Sequence, residues 1–227
     1  MFLDKLKEQL HQHKSRFIGE ETAMRSAVLI PLVQVDDEWH ILFEVRASTM
    51  RTQPGDICFP GGRIDATDPS PHAAALRETH EELGVDPTTV DMLGQLGPYV
   101  ASPSFVVYPF VATVAYDQII HSFNKDEVEE VFTVPVQWLL DYEPYMHRVA
   151  VEMVPPADFP FDKIINGAQY QWRTRYVEEW FFEYGQYTIW GLTGKILQHF
   201  IGILKQDNLL LQSAKDVLES PQDSLPS

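Results

Sequence analysis

The sequence predicts an α/β fold, and three observations carry the prediction. Apolar, β-rich runs at 27–35 and 39–45 flank the turn residues Asp36-Asp37-Glu38, which marks a hairpin. A capped helix is predicted over 71–83, and β-rich runs resume at 90–96 and 104–115. Strands are therefore interrupted by helices instead of continuing as hairpins throughout.

Each element has a local cause. Phe2, Leu3, Leu6 and Leu10 stand at helical spacing among Lys, Glu, Gln and His, so residues 2–14 are expected to form an amphipathic helix lying on the domain. The central helix has Ser70 as cap, Pro71 in its first turn and Gly84 to end it in the left-handed conformation. Ala73, Leu76 and Leu83 supply its apolar side. Cys58, just before Phe59, reads as a buried strand residue. The Gly97-Pro98 turn separates the two later β-rich runs. Residues 138–142 read as a short helix, and 145–153 with 169–172 as further strands. A last helix puts Leu192, Ile196, Phe200 and Ile203 on one stripe; regularity fades from about Gln206, and Ser220–Ser227 reads as a disordered tail.

With 227 residues and no internal repeat or linker, one domain is expected over 23–205, with a helical extension at 1–22 and a tail at 206–227. The 17 Lys and Arg against 33 Asp and Glu leave a net charge of −16, which argues against nucleic-acid or anionic-membrane surfaces. An anionic substrate would then need metal ions or a few placed arginines. A single cysteine excludes an intramolecular disulfide framework and a Cys-based zinc cluster. No apolar run approaches the roughly 20 residues of a membrane span, and the first residues lack a secretory core, so a cytoplasmic protein is expected.

The chemistry centres on Arg77-Glu78-Thr79-His80-Glu81-Glu82-Leu83-Gly84-Val85. Glu78, Glu81 and Glu82 fall at i, i+3 and i+4 and share a helix face, where like charges cost roughly 0.2–0.5 kcal/mol per pair. A cation would remove that cost. Oxygen-only ligands suit Mg²⁺ or Mn²⁺, which would also hold phosphate oxygens. Upstream, Arg46 and Arg51 precede Gly55, Phe59 and the Pro60-Gly61-Gly62 turn, whose glycines allow backbone amides to approach a ligand.

Gly62, Asp68, Arg77, Glu78, Glu81, Glu82, Gly84 and Val85 resemble the signature of the Nudix hydrolases, G-x5-E-x7-R-E-U-x-E-E-x-G-U. Asp68 stands where the first Glu is expected, one residue too far from Arg77, and Thr79 takes an aliphatic position. The run from Ile41-Leu42 through Arg46-Ala47, Arg51, Gly55 and Phe59-Pro60-Gly61-Gly62 resembles the motif of the coenzyme A pyrophosphatases in that family, with Ile41, Phe43 and Val45 departing from it. The Asp65 and Asp68 pattern and a later Trp190-Gly191-Leu192-Thr193 are similar to that subfamily too.

The resemblance implies the Nudix fold, an α/β/α sandwich with a mixed β-sheet. It implies metal-dependent hydrolysis of the diphosphate of coenzyme A or acyl-coenzyme A to 3′,5′-adenosine bisphosphate and 4′-phosphopantetheine or its acyl form. Glu78, Glu81 and Glu82 would hold the metal, and Arg77 would orient a carboxylate. Arg46, Arg51, Gly55, Phe59, Gly61 and Gly62 would form the substrate side. One of Glu127, Glu129 and Glu130 is expected to reach the metals or act as base, with Glu130 carried forward beside Glu82. Replacement of Asp68 is expected to be milder than that of Glu81 or Glu82. The partner is then a small molecule, with a homodimer left open. Another nucleoside diphosphate derivative, or a binding protein on the same scaffold, are the competing readings.

Overall fold

The computed structural model describes residues 1–12, 18–20, 22–119 and 123–219, with side chains as far as 206. In chain order the elements are α1 (Phe2–Gln12), β1 (Met24–Val35), β2 (Glu38–Arg46), β3 (Ile57–Cys58), β4 (Gly61–Arg63), α2 (Pro71–Leu83), β5 (Asp91–Gln95), β6 (Tyr99–Ser102) and β7 (Phe105–Thr113). There follow α3 (Tyr116–Ile119), β8 (Val128–Pro135), α4 (Val136–Asp141), β9 (Tyr145–Val151), β10 (Arg175–Tyr184), β11 (Tyr187–Ile189) and α5 (Gly191–Glu219). They gather into two compact units. Met1–Gly55 with Phe59–Thr133 forms one; Asp56–Cys58 with the chain from Val134 onward forms the other. The expected 23–205 boundary therefore spans both.

In the first unit β1 is the axis of a mixed sheet. It pairs antiparallel with β2 through a two-residue turn, where Val35 opposes Glu38 and Asp36 and Asp37 both take positive φ. That is the hairpin turn whose twist matches the flanking strands, and aspartate tolerates it better than most residues. β1 also pairs in parallel with β7, from Met24↔Phe105 to Leu32↔Thr113, and antiparallel with β4 at Val28↔Gly61. β5 and β6 add to β7, and β8 pairs with β2. A mixed sheet of the α/β class is thus present, and β6 is a strand the sequence reading did not separate from its turn.

The face of this sheet that meets α2 carries Ala27, Leu29, Val33, Leu42, Phe110 and Ala112, packed on Ala74, Ala75 and Leu83 of the helix. The opposite face stacks Phe43 on Phe59 at 5.1 Å and on Phe132 at 5.4 Å. α1 forms where expected as far as Gln12, but it does not lie buried on the domain: none of its residues is buried, and Phe2, Leu3 and Leu10 are exposed. Its apolar stripe has found no partner among the described residues of this chain.

In the second unit β10 pairs antiparallel with β9, from Phe181↔Tyr145 to Arg175↔Val151, and turns at Gly185 into β11. The 169–172 stretch is not a strand. A 3-10 turn at Gly167–Gln169 takes in its first residue, and Tyr170 and Trp172 make edge contacts in a ring cluster with Phe159 instead of entering the ladder. α5 packs through Ile196, Leu197, Phe200 and Ile201; Ile203, placed on the apolar stripe by the sequence, is 36% exposed. Gly194 lets the helix close on β10, since a Cβ there would stand 2.5 Å from the Trp180 carbonyl oxygen. Helical backbone continues to Glu219, past the point where side-chain regularity fades, and Ser220–Ser227 lies outside the described residues. No helix among the described residues is long and apolar enough to cross a membrane.

Candidate active site

α2 is set by the residues that bound it. Ser70 Oγ accepts from the Ala73 amide at 3.1 Å, Pro71 fills the first turn, and Gly84 (φ 71°) donates its amide to the His80 carbonyl. The sheet-facing stripe is Ala74, Ala75, Thr79, Glu82 and Leu83, rotated from the expected Ala73, Leu76 and Leu83. Thr79 is tolerated in a position expected to be aliphatic because its hydroxyl donates to the Ala75 carbonyl at 2.7 Å. The rotation grades the three acids: Glu81 is exposed, Glu78 half-buried and Glu82 only 4% exposed. They share a helix side without sharing an environment.

Arg77 is the cation of the cluster. Its Nε and Nη2 donate to the two oxygens of Asp68, both at 3.0 Å, the fork geometry that fixes a carboxylate in plane. Nη1 donates to Glu78 at 2.9 Å and to Glu81 at 3.0 Å, and Nη2 also donates to the Arg63 carbonyl. The guanidinium is held firmly protonated, chiefly by its hydrogen bond to Asp68. That same bond, helped by the Asp65 amide, holds Asp68 below the usual carboxylate range. The departure of Asp68 from the Nudix signature thus coincides with a two-pronged contact to Arg77, whose Nη2 also stands 4.0 Å from Asp65 Oδ2.

The glycine pair serves the protein's own carboxylates. Gly61 donates its amide to Glu82 Oε2 at 2.8 Å. A Cβ at Gly61 would lie 2.3 Å from the Ala27 carbonyl oxygen, and one at Gly62 would lie 2.5–2.6 Å from the carboxyl atoms of Glu78. So β4 runs flush on β1 and under both acids only because those two residues lack side chains. Burial pushes Glu82 up to about 9, reinforced by the charge of Glu44 and then of Glu78 and Glu127, and opposed by the Gly61 amide. Glu78 is raised as well, again mainly by burial, against the pull of Arg77.

Glu44 was not among the residues singled out from the sequence. It is 1% exposed on β2, and strand alternation sets it on the face of Leu42, the face that meets α2. The signal was a charge inside the apolar run Ile41-Leu42-Phe43-Glu44-Val45.

The acidic run leading into β8 divides by the same alternation. Val131 packs against the α2 core and Thr133 meets His40 of β2, so Glu129 shares their face, while Glu130 shares the face of Phe132 and Phe43. Glu130, carried forward from the sequence, is therefore turned away from the α2 carboxylates. Glu129 accepts from the amide and hydroxyl of Ser48 at 3.1 and 3.0 Å, bonds that lower its pKa and tie it to the 46–55 loop. Glu127 raises both Glu78 and Glu82 by its charge, and the Ala47 amide donates to its carbonyl.

Of the substrate-side candidates, Arg51 is exposed, and Arg46 donates from Nε to the Thr52 carbonyl at 3.4 Å. Gly55 closes the loop at φ 76° by donating to the Arg46 carbonyl. Phe59, 3% exposed and stacked on Phe43, belongs to the core and presents no ligand surface. In the second unit Cys58 is half-buried, and Thr193 donates to the Ile57 carbonyl at 3.0 Å, which gives that part of the Trp-Gly-Leu-Thr run a structural task.

Among the described residues no three His, Cys, Asp or Glu side chains converge on a single point. The donor set nevertheless fits a hard divalent ion in kind. It is all carboxylate oxygen, and the charges acting on Glu82 are those of other acids.

Comparison with known proteins places these features. A family profile described as the NUDIX domain matches residues 23–155. An uncharacterized Nudix hydrolase, NudL, of an Enterobacter species is 34% identical over 174 residues, which is 77% of this chain and 79% of that protein. A peroxisomal coenzyme A diphosphatase of Mus musculus is 36% identical over 126 residues, 54% of this chain and 51% of the mouse protein. A crystal structure of a MutT/nudix family protein from Enterococcus faecalis aligns over 60% of this chain and 51% of its own, with TM-score 0.40 and 19% identity.

Proposed function

We propose, from the premise that the chain belongs to the Nudix family, that it hydrolyses the diphosphate of coenzyme A or an acyl-coenzyme A. The observation that carries the reading is the cluster of Glu78, Glu81 and Glu82 with Asp68, organised by Arg77 and by the Gly61 amide. The Arg46 to Gly62 run and the mouse relative support the choice of substrate over other diphosphates.

In this reading Glu78, Glu81 and Glu82 hold Mg²⁺ or Mn²⁺. The ion, when bound, supplies charge neutralisation at the diphosphate and a water of lowered pKa. The protein's own tasks are separable. Gly61 fixes Glu82 by one carboxylate oxygen, and the other would be available to an ion. Arg77 sets the planes of Glu78 and Glu81 while anchored on Asp68, so Asp68 acts through Arg77. Arg46 and Arg51 bind phosphate oxygens, which a guanidinium fork does better than an ammonium. Glu127 takes the proton of the attacking water. Water oxygen bonds to one phosphorus as the bridging P–O bond breaks, and the other phosphate leaves, giving 3′,5′-adenosine bisphosphate and (acyl-)4′-phosphopantetheine. The lone cysteine accords with action in a reducing compartment, and the cytoplasm is our assignment.

The test is a panel of coenzyme A, acyl-coenzyme A, ADP-ribose, NADH and nucleoside triphosphates, each with Mg²⁺ and with Mn²⁺, with products resolved chromatographically. Preferred turnover of coenzyme A compounds to the two named products is the expected result. Faster turnover of ADP-ribose or a dinucleotide would replace the substrate assignment, and no turnover of any diphosphate would replace the enzymatic one.

A further inference from the structure

We propose that Glu129 of β8 is a positioning residue for the bound diphosphate: it latches the 46–55 loop through Ser48 and so sets the bearing of Arg46 and Arg51. The inference rests on the reading that those two arginines bind phosphate, and it holds for any diphosphate they take.

The loop has little packing of its own. Ala47 is 2% exposed and donates its amide to the Glu127 carbonyl at 2.8 Å, but from Ser48 to Gly55 every residue except Met50 is exposed. Its path is therefore held by hydrogen bonds more than by burial. Met50 donates its amide to the Ala47 carbonyl and Gly55 donates to the Arg46 carbonyl, both at 3.0 Å. Gln53 sits at φ 52°, in the left-handed region that a side chain disfavours. These bonds close the loop on itself without fixing its outer part to the sheet.

Glu129 supplies that attachment. Its Oε2 accepts from the Ser48 amide at 3.1 Å and from the Ser48 hydroxyl at 3.0 Å, across 81 positions of sequence. Ser48 stands two residues after Arg46 and three before Arg51, so the latch falls between the two guanidinium groups along the chain. Arg46 donates from Nε to the Thr52 carbonyl at 3.4 Å, and the direction of its guanidinium thus follows the path of the loop. The bonds from Ser48 also hold the Glu129 carboxyl below the usual carboxylate range, which keeps it an ionised acceptor and makes it a poor base. By charge alone an acid near phosphate-binding arginines works against an anionic substrate. Its use lies in the loop: a loop already in its bound shape loses less freedom on binding, and the gain appears in KM.

Steady-state kinetics of the full-length chain decide the role, with the preferred diphosphate of the substrate panel. Glu129→Ala, Glu129→Gln and Ser48→Ala are compared with wild type, and thermal unfolding checks that each is folded. The expected result is a KM raised about fivefold or more in Glu129→Ala with kcat within about twofold. Glu129→Gln keeps an acceptor for the Ser48 amide and should fall between; Ser48→Ala keeps the amide bond and should also raise KM less than Glu129→Ala. In an Arg51→Ala background Glu129→Ala should raise KM less than about twofold, because the two residues then act on one interaction. A lowered KM in both Glu129 variants would make the acid a source of repulsion, and a kcat lowered about a hundredfold would make it the base; either overturns the proposal. Should Glu129→Ala fail to fold, wild-type KM in both Glu129→Gln and Ser48→Ala overturns it equally. The two readings fail separately. Diphosphate turnover with KM and kcat unmoved in Glu129→Ala removes the latch alone; a wild type that turns over no diphosphate removes the catalytic reading and the latch with it.

Discussion

Replacing Glu82 by Gln should stabilise the protein in chelator while destroying its activity. Folded Glu82 keeps its proton up to about 9, against 4.5 for the ordinary side chain, mainly because it is buried and then because Glu44 is negative. Between those two values the folded chain binds more protons than the unfolded chain. Stability from this group is therefore fully present below about 4.5 and is lost as pH rises toward about 9. Near pH 7.5 about three units of that window have been crossed, which at ~1.4 kcal/mol per unit sets an upper limit of ~4 kcal/mol. The new amide nitrogen needs an acceptor, so about 1–3 kcal/mol is the expected gain. The Gln carbonyl can still accept from Gly61, which keeps β4 in place. Denaturant unfolding in EDTA across the pH range reads the slope. Wild type should lose stability as pH rises, and Glu82→Gln should respond more weakly to pH. Added Mn²⁺ should reverse the ranking, because only the wild type gains full binding energy, and kcat of the variant should fall at least about a hundredfold. Parallel pH slopes in chelator, or near-normal turnover of the variant, would refute the reasoning.

Four further outcomes follow from the geometry. Asp68→Ala should lower kcat by about tenfold or more, milder than loss of Glu82 yet substantial, because it releases the bidentate anchor of Arg77; activity within twofold of wild type would return Asp68 to the loop. Arg77→Lys keeps the charge and loses the fork, so turnover should fall about as far as in Asp68→Ala, and the double variant should add little, as a double-mutant cycle in kcat would read. Gly61→Ala should destabilise by about 2 kcal/mol or more, since its Cβ meets the backbone of Ala27 and Val28, whereas Gly62→Ala meets only the movable Glu78 carboxyl and should lose activity with a smaller change in Tm. Arg51→Ala should weaken kcat/KM for coenzyme A by about 1.5–3 kcal/mol, and comparison with dephospho-coenzyme A tells whether the arginine reads the 3′-phosphate or the diphosphate.

What the sequence determined by itself is the set of features whose cause is local. The α2 boundaries come from Ser70, Pro71 and Gly84, residues whose backbone preferences act within one turn, and the structure places the helix at Pro71–Leu83 as expected. Asp36-Asp37 set the β1–β2 hairpin in the same way. The common side of Glu78, Glu81 and Glu82 is a matter of helical period. The family, too, was legible, because its signature is a run of chemistry on one loop and one helix.

Tertiary structure decided whatever depends on which face meets which. Periodicity says that Glu129 and Glu130 point opposite ways, but only the packing of Val131 on α2 and of Phe132 on Phe43 says which way is the site. Phe59 precedes the glycine turn in sequence and is a core residue in space, because its ring finds Phe43 across the sheet. The difference between exposed Glu81 and buried Glu82 arises from β4 lying under the helix, where Gly61 and Gly62 leave room for the carboxylates. Glu44 acts on Glu82 by its charge, a relation between residues 38 positions apart that no local rule carries. Burial and charge neighbours are properties of the assembled sheet, and they set the pKa of Glu82 and the partners of Arg77 after the local elements have formed.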